Sequence, residues 1–241
     1  MGGRIMKLFL TLVVALSAAL PMMDATAIVG SRELAAEVRI VESFHSIRIT
    51  NAADVTITQG SEQSVTIRTD SNILPLIETE VEHGCLVISD KEKNLKPSEL
   101  KIDITMPKVT EIAVSGASDI NSKGVITAES LQVDVSGAAD VILSLDVENL
   151  ETRVSGVGDF RMDGRAGTHD IRISGVGDVQ ADTLESKTTH VMISGKGECV
   201  VHVTEKLDVA ISGMGNVNYK GSPKITQNVT GMGTVAAVDG E

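Results

Sequence analysis

The sequence predicts an all-β fold: a single-domain parallel β-helix, or solenoid, with about 18–21 residues per coil. Three observations predict it. A hexapeptide of the form Ser-Gly-x-Gly-Asp-Val recurs at nearly constant spacing. Apolar residues alternate with polar ones on both sides of each copy. Val and Ile dominate a chain that has four aromatic residues (Phe9, Phe44, Phe160 and Tyr219) and no tryptophan. There are 29 Val and 21 Ile, so 50 of 241 residues are apolar and β-branched. Such side chains suit the pleated, half-buried surface of a sheet.

The first element is an export signal rather than part of the fold. Arg4 and Lys7 form a basic start, Leu8 to Leu20 form a 13-residue apolar run, and Ala25-Thr26-Ala27 is a small-x-small cleavage site. A transmembrane helix needs about 20 apolar residues, so residues 1–27 read as a signal peptide cut after Ala27. Removing Arg4, Lys7 and Asp24 leaves 19 basic and 32 acidic residues, a net charge of −13. The expected location is the periplasm, the cell envelope or the exterior. Cys85 and Cys199 both lie among alternating apolar residues, which predicts two buried free thiols rather than a disulfide.

The stretch from Val38 to Leu100 is less regular. It holds strand-like runs at 46–50, 54–58, 64–69 and 85–89, and a further run follows at 101–105. Asp90 to Leu100 is polar, contains Pro97, and reads as an exposed loop. No low-complexity linker intervenes, so residues 28–241 are expected to form one domain, with regular repeats from about 112 to 238.

The repeat then takes over. It reads SGASDI at Ser115, SGAADV at Ser136, SGVGDF at Ser155, SGVGDV at Ser174, SGKGEC at Ser194, SGMGNV at Ser212 and TGMGTV at Thr230. Successive copies start 21, 19, 19, 20, 18 and 18 residues apart, and a degenerate copy, TNAADV, begins at Thr50. That period accommodates one solenoid coil. Propeller blades need about 40 residues, and calcium-binding nonapeptide rolls have half this spacing. One coil cannot bury its apolar side alone, so stacking is obligatory; at about 4.8 Å per strand, seven coils span roughly 34 Å. The glycines are expected to supply positive φ and room at a crowded corner, and the serines to form an inward-serving hydroxyl ladder there.

Several functions are excluded by composition. A net charge of −12 disfavours nucleic acid and anionic membrane surfaces. Base-stacking surfaces and aromatic cages need exposed rings. The SGxGD copies lack the lysine and following helix of a phosphate loop.

The segment from Phe44 through DVTITQG (Asp54–Gly60) and SVTI (Ser64–Ile67), with NIL at Asn72, IDITMP at Ile102 and SGASD at Ser115, resembles a bacterial family, the putative auto-transporter adhesin, head GIN domain. The resemblance implies an exported β-helix of the pectin-lyase-like kind, without lyase catalytic residues and with an adhesion role. The Gly-Ile-Asn tripeptide itself is absent. No translocating barrel fits after Glu241, so the chain is not expected to be a complete autotransporter.

Two constellations carry candidate chemistry. Asp119, Asp140, Asp159, Asp178 and Glu198 fall at one repeat position, followed by Asn216 and Thr234. Stacked carboxylates suit hard cations such as calcium. Asp also suits turns by bonding nearby amides, and the slide to Asn and Thr favours that role. Four residues before successive serines, Asp170, His190 and Asp208 could meet across three coils and hold zinc, with Arg153 and Arg172 available as competing ion-pair partners.

The expected function is a non-catalytic, exported structural or interaction module, acting in adhesion or envelope contact with a surface protein or glycan and with no cofactor. The competing readings are a carbohydrate-active β-helix enzyme using the Asp column and a cation-binding periplasmic protein. At the C-terminal end, an open sheet edge predicts either a cap folded from Ile28–Glu37 or weak end-to-end association.

Overall fold

The computed structural model describes residues 27–238. The predicted signal peptide therefore lies outside the described residues except for Ala27. Strands appear in the order β1 (Ile28–Val29), β2 (Leu34–Arg39), β3 (Ser46–Ile49), β4 (Ala53–Gln59) and β5 (Ser64–Asp70). A short 3-10 turn (Leu74–Leu76) follows, then β6 (Ile77–Glu82), β7 (Cys85–Asp90), β8 (Leu95–Lys96) and β9 (Leu100–Met106). The regular part comprises β10 (Glu111–Val114), β11 (Ala117–Val135), β12 (Ala138–Val154), β13 (Val157–Ile173), β14 (Val176–Ile193), β15 (Lys196–Ile211), β16 (Met214–Lys220), β17 (Lys224–Val229) and β18 (Met232–Ala237).

All pairings from β10 to β18 are parallel, and equivalent repeat positions sit in register. The degenerate copy at Thr50 is a full member, because β3 pairs with β10 and β4 with β11. The parallel solenoid that the repeat predicts is therefore present, and it starts one coil earlier than the clear hexapeptides. Alternation drives it: along β12, Ala139, Val141, Leu143, Leu145 and Val147 point inward and their neighbours outward. The parity breaks at Glu148-Asn149 and again at Ser155-Gly156, so each coil folds back on itself and encloses a strip of Val, Ile and Leu. Differences in coil length are absorbed by register shifts between Asn121 and Val125, between Arg161 and Asp163, and between Ala181 and Thr188. All lie away from the Ser-Gly corner, which stays aligned.

The corner glycines are required, though not for the expected conformational reason. None of Gly116, Gly137, Gly156, Gly175, Gly195, Gly213 and Gly231 has positive φ. A Cβ on any of them would lie 1.9–2.1 Å from a backbone carbonyl oxygen of the preceding coil. Close backbone approach alone demands glycine here.

The serines also behave differently from the expected inward ladder. They face solvent, and each corner is held by the main chain. Val154 O accepts from Ser174 N at 2.8 Å and Gly175 N at 3.1 Å, with the Ser174 hydroxyl adding a longer bond at 3.4 Å. The hydroxyls of Ser136, Ser174 and Ser194 thus bond carbonyls of the coil before.

The N-terminal end is closed by antiparallel strands. β7 continues the β3 column and carries β6 through a tight turn at His83-Gly84, whose φ values of 52° and 77° match a type I′ hairpin. β9 continues the β4 column and carries β5 and then β2, both antiparallel. The Ile28–Glu37 segment therefore contributes its cap to this end, not to the C-terminal end. The Asp90–Leu100 segment is not wholly loop, since β8 within it pairs with β1.

Asp70 knits this cap together. It is fully buried and accepts hydrogen bonds from Arg32 N (2.5 Å), Ser98 N (2.6 Å) and the Ser98 hydroxyl (2.8 Å). Burial pushes its pKa up, but those hydrogen bonds outweigh it and hold the carboxyl below its ordinary value. Both cysteines are free; Cys199 is buried as expected, whereas Cys85 is only half-buried at the start of β7.

Candidate functional site

The solenoid arranges every repeat position into a column, so candidate side chains are placed by the corner. The acidic column is continuous. Asp119, Asp140, Asp159, Asp178 and Glu198 are direct register neighbours, all exposed, and Asp54 extends the row by one coil. Asp54 belongs to the Thr50 copy and was legible there. Asp119, in the middle of three aspartates, has its pKa raised by burial and then by the charges of Asp140 and Asp54. Neighbouring like charges in water cost about 1 kcal/mol each, which a stacked sheet can bear.

Further along the column the side chains serve the ladder. Asp178 Oδ1 accepts from Glu198 N at 2.9 Å, and Asn216 Oδ1 accepts from Thr234 N and the Thr234 hydroxyl at 3.2 and 2.9 Å. Each reaches the amide of the next coil. The column thus bonds amides, as the slide from Asp to Asn implied, but across coils 18–20 residues apart in sequence rather than within a local turn.

The second constellation is also brought together. Asp170, His190 and Asp208 are successive register partners on the outward face. His190 Nδ1 lies 3.1 Å from Asp208 Oδ2, and the same carboxylate receives Lys206 Nζ at 2.5 Å. Lys206 holds the Asp208 pKa down through that hydrogen bond, outweighing partial burial. The adjoining column pairs Arg153 with Glu151 (2.7 Å) and Asp134 (3.6 Å), and Arg172 with Glu151. Among the described residues no three His, Cys, Asp or Glu side chains converge as a metal-binding group.

Two open troughs flank the Ser-Gly corner. One, about 550 Å³, runs across the face before the corner, with Arg48, Asp134, Arg153, Arg172 and Met192 along it and the serines at its edge. Its floor is main chain, because Val114, Val135, Val154 and Ile173 beneath it turn their side chains into the core. The other, about 620 Å³, lies beside the acidic column over the last coils and is lined by Val176, Asp178, Lys196, Glu198, Met214 and Met232. The outward x position of the hexapeptide therefore carries exposed apolar residues interrupted by Lys196: Val157, Val176, Met214 and Met232 are 55%, 48%, 47% and 68% exposed. Sequence reasoning missed this pattern, although the x residues were visible in the repeat.

Inside the coils lies a buried polar layer. His169 Nε2 shares a hydrogen bond with the Thr152 hydroxyl at 3.0 Å, and Ser186 bonds Thr189 at 2.6 Å and His202 O at 2.9 Å. Burial pushes the His169 pKa down to about 3 and pushes the Cys199 thiol up, the latter with help from Asp178 and Glu198.

The family described as putative auto-transporter adhesin, head GIN domain, matches residues 43–223. The chain belongs to that family. The matched stretch runs from the first strand of the solenoid to the end of β16, so the head GIN domain coincides with most of the coil stack. A putative adhesin from Bacteroides fragilis NCTC 9343 is similar throughout, with a TM-score of 0.85 and 28% identity over 88% of this chain and 100% of that one. A putative adhesin from Parabacteroides merdae ATCC 43184 (TM-score 0.72, 23% identity, 89% and 100% covered) shares the fold. So does a protein from Parabacteroides distasonis ATCC 8503 named as a putative lipid binding protein (TM-score 0.73, 21% identity, 89% and 100% covered). No curated protein matches the sequence. No helix among the described residues is long and apolar enough to cross a membrane.

Proposed function

We propose that this head GIN domain is an exported, non-catalytic interaction module that makes contacts at the cell envelope, in an adhesion-type role. The observation that carries this reading is how the charged columns are used. Asp178 and Asn216 cap amides of the following coil, and Asp208, Glu151 and Asp134 are engaged by Lys206, Arg172 and Arg153. Those groups are spent on the stack, and Asp119, Asp140 and Asp159 stand in one exposed line along it; they are not gathered around one reacting atom, which is what catalysis requires. What the surface offers instead is length: troughs and rows that repeat coil after coil.

The trough before the corner suits an extended protein segment better than a sugar. It joins a main-chain floor and the exposed Met192 to arginines and carboxylates, and none of its lining residues is an aromatic platform on which a sugar ring could stack. Membership of an adhesin family supports the same location and role. The test has two arms. Surface proteolysis of intact cells should release fragments of the processed chain, and a deletion strain should attach less well to protein-coated surfaces, with recovery on complementation. A purified protein that depolymerises an acidic polysaccharide would instead establish the enzyme reading. A dose-dependent rise in melting temperature with calcium would establish the cation-binding one.

A further inference from the structure

We infer that the C-terminal end of the solenoid is a self-association surface that pairs two copies edge to edge about a two-fold axis. β17 and β18 each have one strand neighbour among the described residues, β15 and β16 respectively. Together they form one L-shaped edge that turns through the Thr230-Gly231 corner. The core is incompletely covered here: Ile225 and Val229 keep 37% and 38% exposure, whereas the equivalent Leu207 and Ile211 one coil below keep 0% and 1%. Both strands lie beyond the residues matched by the family.

Natural sheet edges are usually guarded by charge, proline or bulges. The opposite end of this molecule follows that practice, since its outermost strand β6 carries Glu78, Glu80 and Glu82. The C-terminal edge does not. β18 (MGTVAA) has no charged residue, β17 has only Lys224, and no acidic residue occurs from Val209 to Val238 in a chain of net charge −12. Asp239 and Glu241 follow β18 in the sequence, so the stretch free of acidic charge is the paired edge itself; along that edge two copies meet without acidic repulsion, unlike two β6 edges.

The inward–outward pattern also fixes how they fit. β17 runs toward the corner and β18 away from it, so a two-fold axis through the corner lays β17 of one copy antiparallel on β18 of the other. Paired residues on neighbouring strands point to the same face. Inward Val229, Gln227 and Ile225 must therefore oppose inward Gly233, Val235 and Ala237. That register is centred on Gly231, and it covers Ile225 and Val229 with the other copy's β18. On the outward face it sets Ala236 opposite Thr226 and diagonal to Lys224. Closure about the axis makes the product a dimer rather than a filament.

The test is sedimentation velocity on the processed, exported chain across a concentration series, with A236K and A236E beside the wild type. Ala236 is exposed, and unchanged melting temperatures confirm that both variants fold. The wild type should show a monomer–dimer equilibrium and no larger species. A236K places a lysine near the other copy's Lys224 twice per dimer and should raise the dissociation constant roughly two- to thirtyfold. A236E should leave it unchanged or lower it. A strict monomer at every concentration overturns the inference. So do open-ended oligomers strengthened by A236K and weakened by A236E, which would mean that this edge meets the acidic end instead.

Discussion

Replacing Gly175 by alanine probes the close backbone approach at the corner. The added Cβ would lie 2.1 Å from Gly156 O and 2.5 Å from Ser155 O, both backbone atoms of the coil below. No flexible side chain can move aside, so one coil must lift from the next, stretching the bonds that Ser174 N and Gly175 N give to Val154 O. Because Gly175 does not have positive φ, the penalty is steric rather than conformational. Overpacking of this kind costs about 1–3 kcal/mol. In a chain of this size each kcal/mol moves the melting temperature by about 2–4 °C, so a drop of roughly 2–12 °C is expected. Val176→Ala, one residue along, is the control: Val176 is 48% exposed, and surface changes of this sort stay within about 0.5 kcal/mol. Thermal unfolding followed by far-ultraviolet circular dichroism reads both. If G175A melts with V176A and the wild type, close backbone approach does not set the glycine column, and the repeat needs another cause.

Further predictions concern the interior and the cap. Phe160→Ala empties the largest fully buried side chain among the described residues and should cost about 3–5 kcal/mol in denaturant unfolding. His169 stays neutral in the folded chain down to about pH 3, while the unfolded chain takes up its proton below about pH 6.5. Stability should therefore fall between those values by up to about 1.4 kcal/mol per pH unit, and H169Q should flatten that slope. An unchanged slope would count against the buried, neutral imidazole. Asp70 has the same sign in a lower pH window: its stabilisation is present above the unfolded pKa of about 3.9 and is lost as pH falls through the lower folded value. D70N should lower the melting temperature at neutral pH and remove part of the acid-induced loss below pH 4. For the His190 constellation, H190A should change stability by less than about 0.5 kcal/mol and leave the response to zinc as it was; loss of a zinc-dependent rise in melting temperature would reveal a site there.

The regular half of the molecule was legible because a repeat states the same local rule many times. Val114, Val135, Val154, Ile173, Ile193, Ile211 and Val229 before the corner, with Ile120, Val141, Phe160 and their successors after it, specify inward columns without reference to distant sequence. Even the buried His169 follows from alternation, lying two residues before Ile171 on the same face. The cap was harder. Asp70 looks like any strand-end aspartate, and its role arises only when Arg32 and Ser98, 38 and 28 residues away, converge on it. β2 and β6 were missed for the same reason, since their antiparallel partners are set by chain reversal rather than by the repeat. One local signal was overlooked, the His83-Gly84 pair between two alternating runs, which suits a tight hairpin. The corner glycines were legible with two causes, positive φ and room at a crowded corner, and only room applies; sequence shows that glycine is required without showing whether conformation or space requires it.

The measurement that bears most directly on the proposed role is attachment by cells carrying R153E together with R172E. Both arginines lie in the trough before the corner, and both are about half-exposed, at 44% and 47% of their side-chain surface. Surface ion pairs of this kind contribute about 0–1 kcal/mol, so the fold should persist. An interaction module that uses this trough predicts normal export and a near-normal melting temperature, with attachment reduced to the level of the deletion strain. Attachment equal to wild type, at equal surface display, would contradict it.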